Sequence, residues 1–94
     1  MAHVLVRHSV QDYNKWKPVF DDVLDIRKAG GEKDCQIYHT DSDSNDLVIL
    51  FGWDTQENAR KYFESPKLRE AMPKAGVMGL PEIIFLDGVE HCAI

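Results

Sequence analysis

From Leu47 to Phe51 the chain is apolar at every position, and Gly52 and Trp53 complete the run as L-V-I-L-F-G-W. A strand with one face in water alternates apolar and polar residues, because successive side chains point to opposite faces of the sheet. This run does not alternate, and neither do Val4-Leu5-Val6 or Ile83-Ile84-Phe85-Leu86. Three strands must therefore be covered on both faces.

The remaining pattern supplies one of the two covers. Residues Ala2 to His8 read as a first strand. Asp12 offers an N-cap to a turn carrying Tyr13 and Trp16, with a kink or a fresh start expected near Pro18. Trp16, Phe20, Val23, Leu24 and Arg27 recur at helical spacing, and Gly30-Gly31 stops that helix. Glu32 to Thr40 forms a second strand, with Cys35, Ile37 and His39 on one side and Gln36 and Tyr38 on the other. The polar stretch Asp41 to Asp46 reads as a hairpin loop. Asp54-Thr55-Gln56-Glu57 has the form of a capping box, and opens a helix that buries Ala59, Tyr62 and Phe63. Ser65-Pro66 restarts a shorter helix with Leu68 and Met72 inward, ending at Pro73. A loop from Ala75 to Pro81 then leads to a last strand, Glu82 to Asp87.

The order is βαββαβ, an α+β ferredoxin-like arrangement filling one domain over residues 1–94. Two right-handed crossovers place both helices on one face of a four-stranded antiparallel sheet ordered 4-1-3-2. The other face has no helix, yet its strands are apolar there too. A second copy of the chain, related by a two-fold axis, is the natural cover, so a homodimer is expected. At 94 residues the domain is also small enough to gain from one.

Composition narrows the partners. The net charge of −5 and the lack of any Lys/Arg run speak against nucleic acid and against an anionic membrane surface. No apolar run approaches the roughly 20 residues of a membrane span. Two cysteines, Cys35 and Cys92, are too few for a disulfide framework, and the expectation is a cytoplasmic protein with reduced thiols. Gly30-Gly31 sits in no phosphate-loop pattern, so no nucleotide cofactor is indicated.

Several segments resemble a known family. They are V-R-H at Val6 to His8, D-Y-x-K-W-K-P at Asp12 to Pro18, F-G-W-D at Phe51 to Asp54, and A-G-V-x-G-x-P from Ala75 to Pro81. Together they are similar to the antibiotic-biosynthesis-monooxygenase-like domains of the dimeric α/β-barrel superfamily, over nearly the whole chain. The resemblance implies oxidation of a small, flat, apolar molecule by dioxygen with no metal or flavin, in a pocket between helices and sheet. A related branch degrades haem, using an Asn on the first strand and a haem-ligating His after the second helix. The first strand here has no Asn, Lys67 to Lys74 contains no His, and Met72 takes its place, so no haem is expected.

Topology sorts the chemical candidates by end of the sheet. His8 and His39 share one end with Tyr13, Trp16 and the Ala75 to Pro81 loop, while His3, Arg27 and Trp53 share the other. One strand separates the two histidines, which puts their Cα atoms about 9 to 10 Å apart, a span suited to a base and its partner across a small ligand. They are the expected catalytic pair, and Tyr13, Trp16, Trp53, Tyr62 and Met72 the expected pocket. The plainer reading makes the histidines strand-end residues, one of them satisfied by backbone, and the aromatics ordinary core. Metal is not expected, because the histidines lack a third ligand and Glu90-His91-Cys92 lies in a tail without a scaffold. Arg27 stands on an apolar stripe and is expected either to extend past the glycine turn or to pair with Asp54 or Glu57. The same histidines would also serve a proton-transferring isomerase or cyclase, and a ligand-binding or structural dimer would need neither.

Overall fold

The computed structural model describes residues Ala2 to Ile94. In chain order its elements are β1 (Ala2–Val10), α1 (Tyr13–Asp22), α2 (Leu24–Gly30), β2 (Glu32–Thr40), β3 (Asp43–Trp53), α3 (Gln56–Phe63), α4 (Pro66–Lys74) and β4 (Val77–Asp87). The strands lie in the order β2-β3-β1-β4, each neighbouring pair antiparallel. This is the 4-1-3-2 sheet of a ferredoxin-like fold.

Register fixes which side chains share a face. Val4 pairs with Phe51, Val6 with Ile49 and His8 with Leu47, and all six are buried on the helix side. Phe85 and Ile83 continue the first two rows on β4, and Cys35 and Ile37 continue them on β2. The alternate residues form the outer face. There Leu5 pairs with Leu50 and Ile84, and Arg7 with Val48 and Glu82. Asp34 and Gln36 stand across from Gly52 and Leu50 at the β2 edge. The outer face thus has an apolar centre and a polar margin.

The second crossover is divided at Ser65 as expected, and the first is divided as well. The first break falls at Val23 (φ −100°, ψ 14°) and not at Pro18, which sits inside α1. Pro18 withdraws one N–H, while Asp12 holds the turn before it by accepting from the Asn14 N–H at 2.9 Å. The second helix is capped by Thr55 rather than Asp54, with Asn58 N–H donating to Thr55 Oγ1 at 3.1 Å. Asp54 is held back because its own N–H bonds the Gly31 carbonyl at 3.0 Å. Ser65 caps α4 as expected, but Pro73 lies within its last turn and the helix runs to Lys74.

The hairpin loop is shorter than its composition suggests, since β2 runs to Thr40 and β3 starts at Asp43. The segment from Val77 to Pro81 is not a loop but the first half of β4, with Val77 paired to Val10. Between the pairs Arg7↔Glu82 and Ser9↔Met78 the register slips, so Gly79, Leu80 and Pro81 together stand opposite His8. That bulge leaves His8 without a ladder partner on β4.

Arg27 closes the far end of the helical layer. Its side chain is 4% exposed and its Nε donates to Glu32 Oε1 at 2.8 Å, not to Asp54 or Glu57. A second N–H donates to the Phe20 carbonyl, and the guanidinium lies 3.6 Å from the Phe20 ring centroid. Burial pushes the Glu32 carboxyl up, and the Arg27 charge acts against that rise. Removing one member of such a pair strands a charge in low dielectric. Glu32→Ala is therefore expected to cost about 3–5 kcal/mol, and Arg27→Met with Glu32→Leu to recover most of it, as urea unfolding at pH 7 would measure.

Candidate functional site

The helices meet the sheet over a cavity of about 100 Å³, lined among others by His8, Trp16, Phe20, Arg27, Tyr62, Phe63, Leu68 and Met72. Its walls are built by a run of rings. Trp16 and Phe20 stack at 4.7 Å, one helical turn apart on α1. Phe51 and Phe63 contact at 5.3 Å, and Phe63 and Tyr62 at 5.0 Å. The start of α1 is fixed to the sheet by Asn45, whose Oδ1 accepts from the Tyr13 N–H at 2.9 Å. That contact sets Trp16 edge-on to His8, with ring centroids 5.7 Å apart.

His8 is the polar feature of this wall. It is 6% exposed, and no group of the protein hydrogen-bonds its Nδ1. Among the described residues one other buried side-chain atom shares that condition, Oε1 of Gln56. Gln56 is anchored elsewhere, its Nε2 donating to the Leu86 carbonyl at 2.6 Å. Burial lowers the His8 pKa, opposed by its own backbone. A neutral imidazole is therefore held against the cavity, able to accept one proton.

The expected site residues separate into two groups. His8, Trp16, Tyr62 and Met72 are brought to the cavity. His39, Tyr13 and Trp53 are not. His39 and His8 do flank Leu47 in register, but β2 is an edge strand and no helix covers its end. His39 is exposed, and its Nδ1 meets the Thr40 carbonyl at 2.8 Å, the plainer reading of that residue. Tyr13 packs against the outer side of Trp16 at 5.9 Å. Trp53 is fully buried and donates its Nε1–H to the Gly30 carbonyl at 2.9 Å, which makes it core and a clamp on the α2–β2 turn. The Ala75 to Pro81 segment shares the His8 end of the sheet, but from Val77 onward it runs beside β1 as strand and is no loop over the cavity.

Arg27 was placed by topology at the opposite end, yet its side chain reaches back along α2 to the cavity. Its position on the stripe of Trp16, Phe20 and Val23 was the signal. Phe63 and Leu68 also line the cavity. Their apolar spacing marked them as buried but could not tell core from wall. Among the described residues no three His, Cys, Asp or Glu side chains gather as a metal site requires.

No family model matches the chain, and no curated protein sequence does either. Solved structures do. A variant of SnoaB, a cofactor-independent oxygenase from Streptomyces nogalater, superposes with a TM-score of 0.73 at 15% identity, covering 96% of this chain and 94% of that one. A Streptomyces coelicolor monooxygenase in complex with nanaomycin D gives 0.68 at 18% identity, covering 99% and 91%. A conserved protein from Methanosarcina mazei gives 0.69 at 14%, covering 90% and 89%. The chain thus shares the ferredoxin-like fold of these proteins. At these identities the likeness is one of fold.

A buried imidazole nitrogen without a partner costs stability, so replacing it with an apolar side chain of similar size should help the fold. His8→Leu is expected to raise the unfolding free energy at pH 7 by about 1 kcal/mol. The pH dependence follows from the lowered pKa. Below the ordinary imidazole value of about 6.5, the unfolded chain takes up a proton at this site that the folded chain refuses. Wild-type stability should therefore fall as pH drops below that value, and level off once the folded His8 also protonates. Subtracting the His8→Leu curve isolates this slope from Glu32, whose raised pKa acts in the reverse sense. Identical slopes for the two proteins would show that His8 titrates as it does in solvent.

Proposed function

We propose that this protein is a homodimeric monooxygenase-like protein that binds a small, flat, apolar molecule between helices and sheet, and oxidises it with dioxygen without metal or flavin. The observation that carries the reading is His8, a neutral imidazole with an uncommitted nitrogen on an aromatic-walled cavity. Such a group takes the proton of a substrate hydroxyl, and the resulting anion gives up an electron to dioxygen far more readily than its neutral parent. The apolar wall excludes water from the reacting pair. The fold shared with a cofactor-independent oxygenase supports the same reading.

The dimer rests on the outer face of the sheet. Leu5, Val48, Leu50 and Ile84 occupy its centre, and Arg7 and Asp46, paired at 2.9 Å, stand at its margin. An apolar middle with a charged rim is how protein interfaces are built. A folded monomer of 10.8 kDa is expected to expose about 5,500 Å², whereas this chain exposes 6525 Å². The excess, part of it the extended tail after Asp87, is of the order that each partner buries in a standard interface, about 800 Å².

A second reading, a non-catalytic ligand-binding or structural dimer, is favoured by the size of the cavity. At about 100 Å³ it is smaller than the roughly 300–1,000 Å³ of ordinary ligand sites. Oxygen-electrode measurements over a panel of one- to three-ring hydroquinones separate the two. Uptake above the spontaneous rate, reduced about 100-fold or more in His8→Leu, is the expected result for a general base. Uptake unchanged by the substitution removes His8 from the chemistry, and saturable binding with no uptake selects the second reading. For the assembly, sedimentation at micromolar concentration should give about twice 10.8 kDa. Leu50→Asp should return it to the monomer or prevent folding, because it buries an unpaired charge at the centre of the interface.

A further inference from the structure

The size, charge and polarity of the cavity together narrow what it can hold. Its volume, about 100 Å³, lies below the roughly 150 Å³ of an engineered apolar cavity that accepts benzene. Leu68 and the unbranched Met72 on α4 can yield by changing rotamer, and a single ring asks the least of them. The ring walls from Trp16 and Phe20 favour a flat guest over a branched one.

Charge argues for a neutral guest. Arg27 is the cation on the wall, and Glu32 already neutralises it at 2.8 Å. A carboxylate entering the cavity would find no free positive charge and would lose its hydration without compensation. Polarity argues for a hydroxyl. The free atom is His8 Nδ1, and whether it accepts or donates depends on which ring nitrogen carries the proton. A hydroxyl satisfies it in either case, being both donor and acceptor, whereas a carbonyl or an ammonium satisfies only one. The β4 bulge opposite His8 sets this residue apart from the regular ladder, as bulges beside binding sites do.

We infer that the cavity is a site for a neutral single-ring phenol, held by a hydrogen bond between its hydroxyl and His8 Nδ1, and that it rejects fused-ring and anionic aromatics. This narrows the proposed function to one substrate class and rests on that reading for the use of the site.

Equilibrium binding tests it without oxygen, by calorimetry under nitrogen with phenol, toluene, 1-naphthol and benzoate. Phenol is expected to bind about tenfold more tightly than toluene, the worth of one buried hydrogen bond. Naphthol and benzoate should bind more weakly than phenol. In His8→Leu the preference for phenol over toluene should vanish or reverse, while toluene still binds. If that variant fails to fold, the wild-type comparison of phenol with toluene decides alone. Equal affinity for those two, or tighter binding of naphthol or benzoate, overturns the inference. Phenol bound as expected with no oxygen uptake leaves this inference standing and removes the oxygenase. Uptake confined to two- and three-ring hydroquinones does the reverse.

Discussion

The centre of β3 is the constraint on which the rest depends. Leu47, Ile49, Phe51 and Trp53 point to the helices and are buried to within a few per cent. Val48 and Leu50, between them, point the other way. β3 takes an interior place, hydrogen-bonded to β1 on one side and β2 on the other, which suits a strand whose inward residues are this deeply buried. The connections then follow. With β1 and β2 parallel and separated by β3, the chain between them must cross one face, and α1 and α2 make that crossing. The mirrored path from β3 to β4 brings α3 and α4 to the same side. One layer of helices over one face, with apolar residues left on the other, is what this strand demands.

The cavity arises from the way that helical layer is divided. Neither crossover is one straight helix, and the breaks at Val23 and Glu64–Ser65 let each half settle separately on the sheet. The α1 half carries Trp16 to His8, and the α2 half turns Arg27 toward β2. The α4 half buries none of its residues fully and contributes the flexible side of the wall through Leu68 and Met72. A tightly packed side on β3 and α1 thus faces a looser side on α4. Motion on the α4 side breaks fewer buried contacts than motion on the other.

Much of this was legible in the sequence. Topology, strand order, the helix stop at Gly30-Gly31 and the Ser65 cap all follow from patterns of apolar spacing and turn chemistry, which act locally. The errors lie where a local rule met a tertiary demand. Asp54 has the side chain for a cap, but its backbone is claimed by Gly31. Gly79 and Pro81 look like loop residues, but a bulge accommodates both inside a strand. At the site, register placed His8 and His39 on one row correctly, and no pattern in the sequence could reveal that the helical layer leaves the His39 end of β2 exposed. Burial therefore divided two histidines that the sequence treats alike. Trp16 and Trp53 differ in the same way, one lining the cavity and the other filling the core beneath it.

His8 makes the coupling between the two faces of the sheet visible. It alternates along β1 with Arg7 and Ser9, which point outward, so cavity and outer face are opposite sides of the same few residues. Its place is set by Leu47 on one side, while on the other the β4 bulge offers no ladder partner. A position with one missing neighbour is softer than the rest of the strand. In the proposed dimer Val48, outward on the neighbouring row opposite Arg7, would be packed against a partner, and the backbone next to His8 would lose part of its freedom to shift. Assembly would then stiffen the segment of β1 that faces the β4 bulge. The apolar outer face, which first forced the two-sided burial of these strands, would in that way also hold the imidazole at a fixed distance from whatever occupies the cavity.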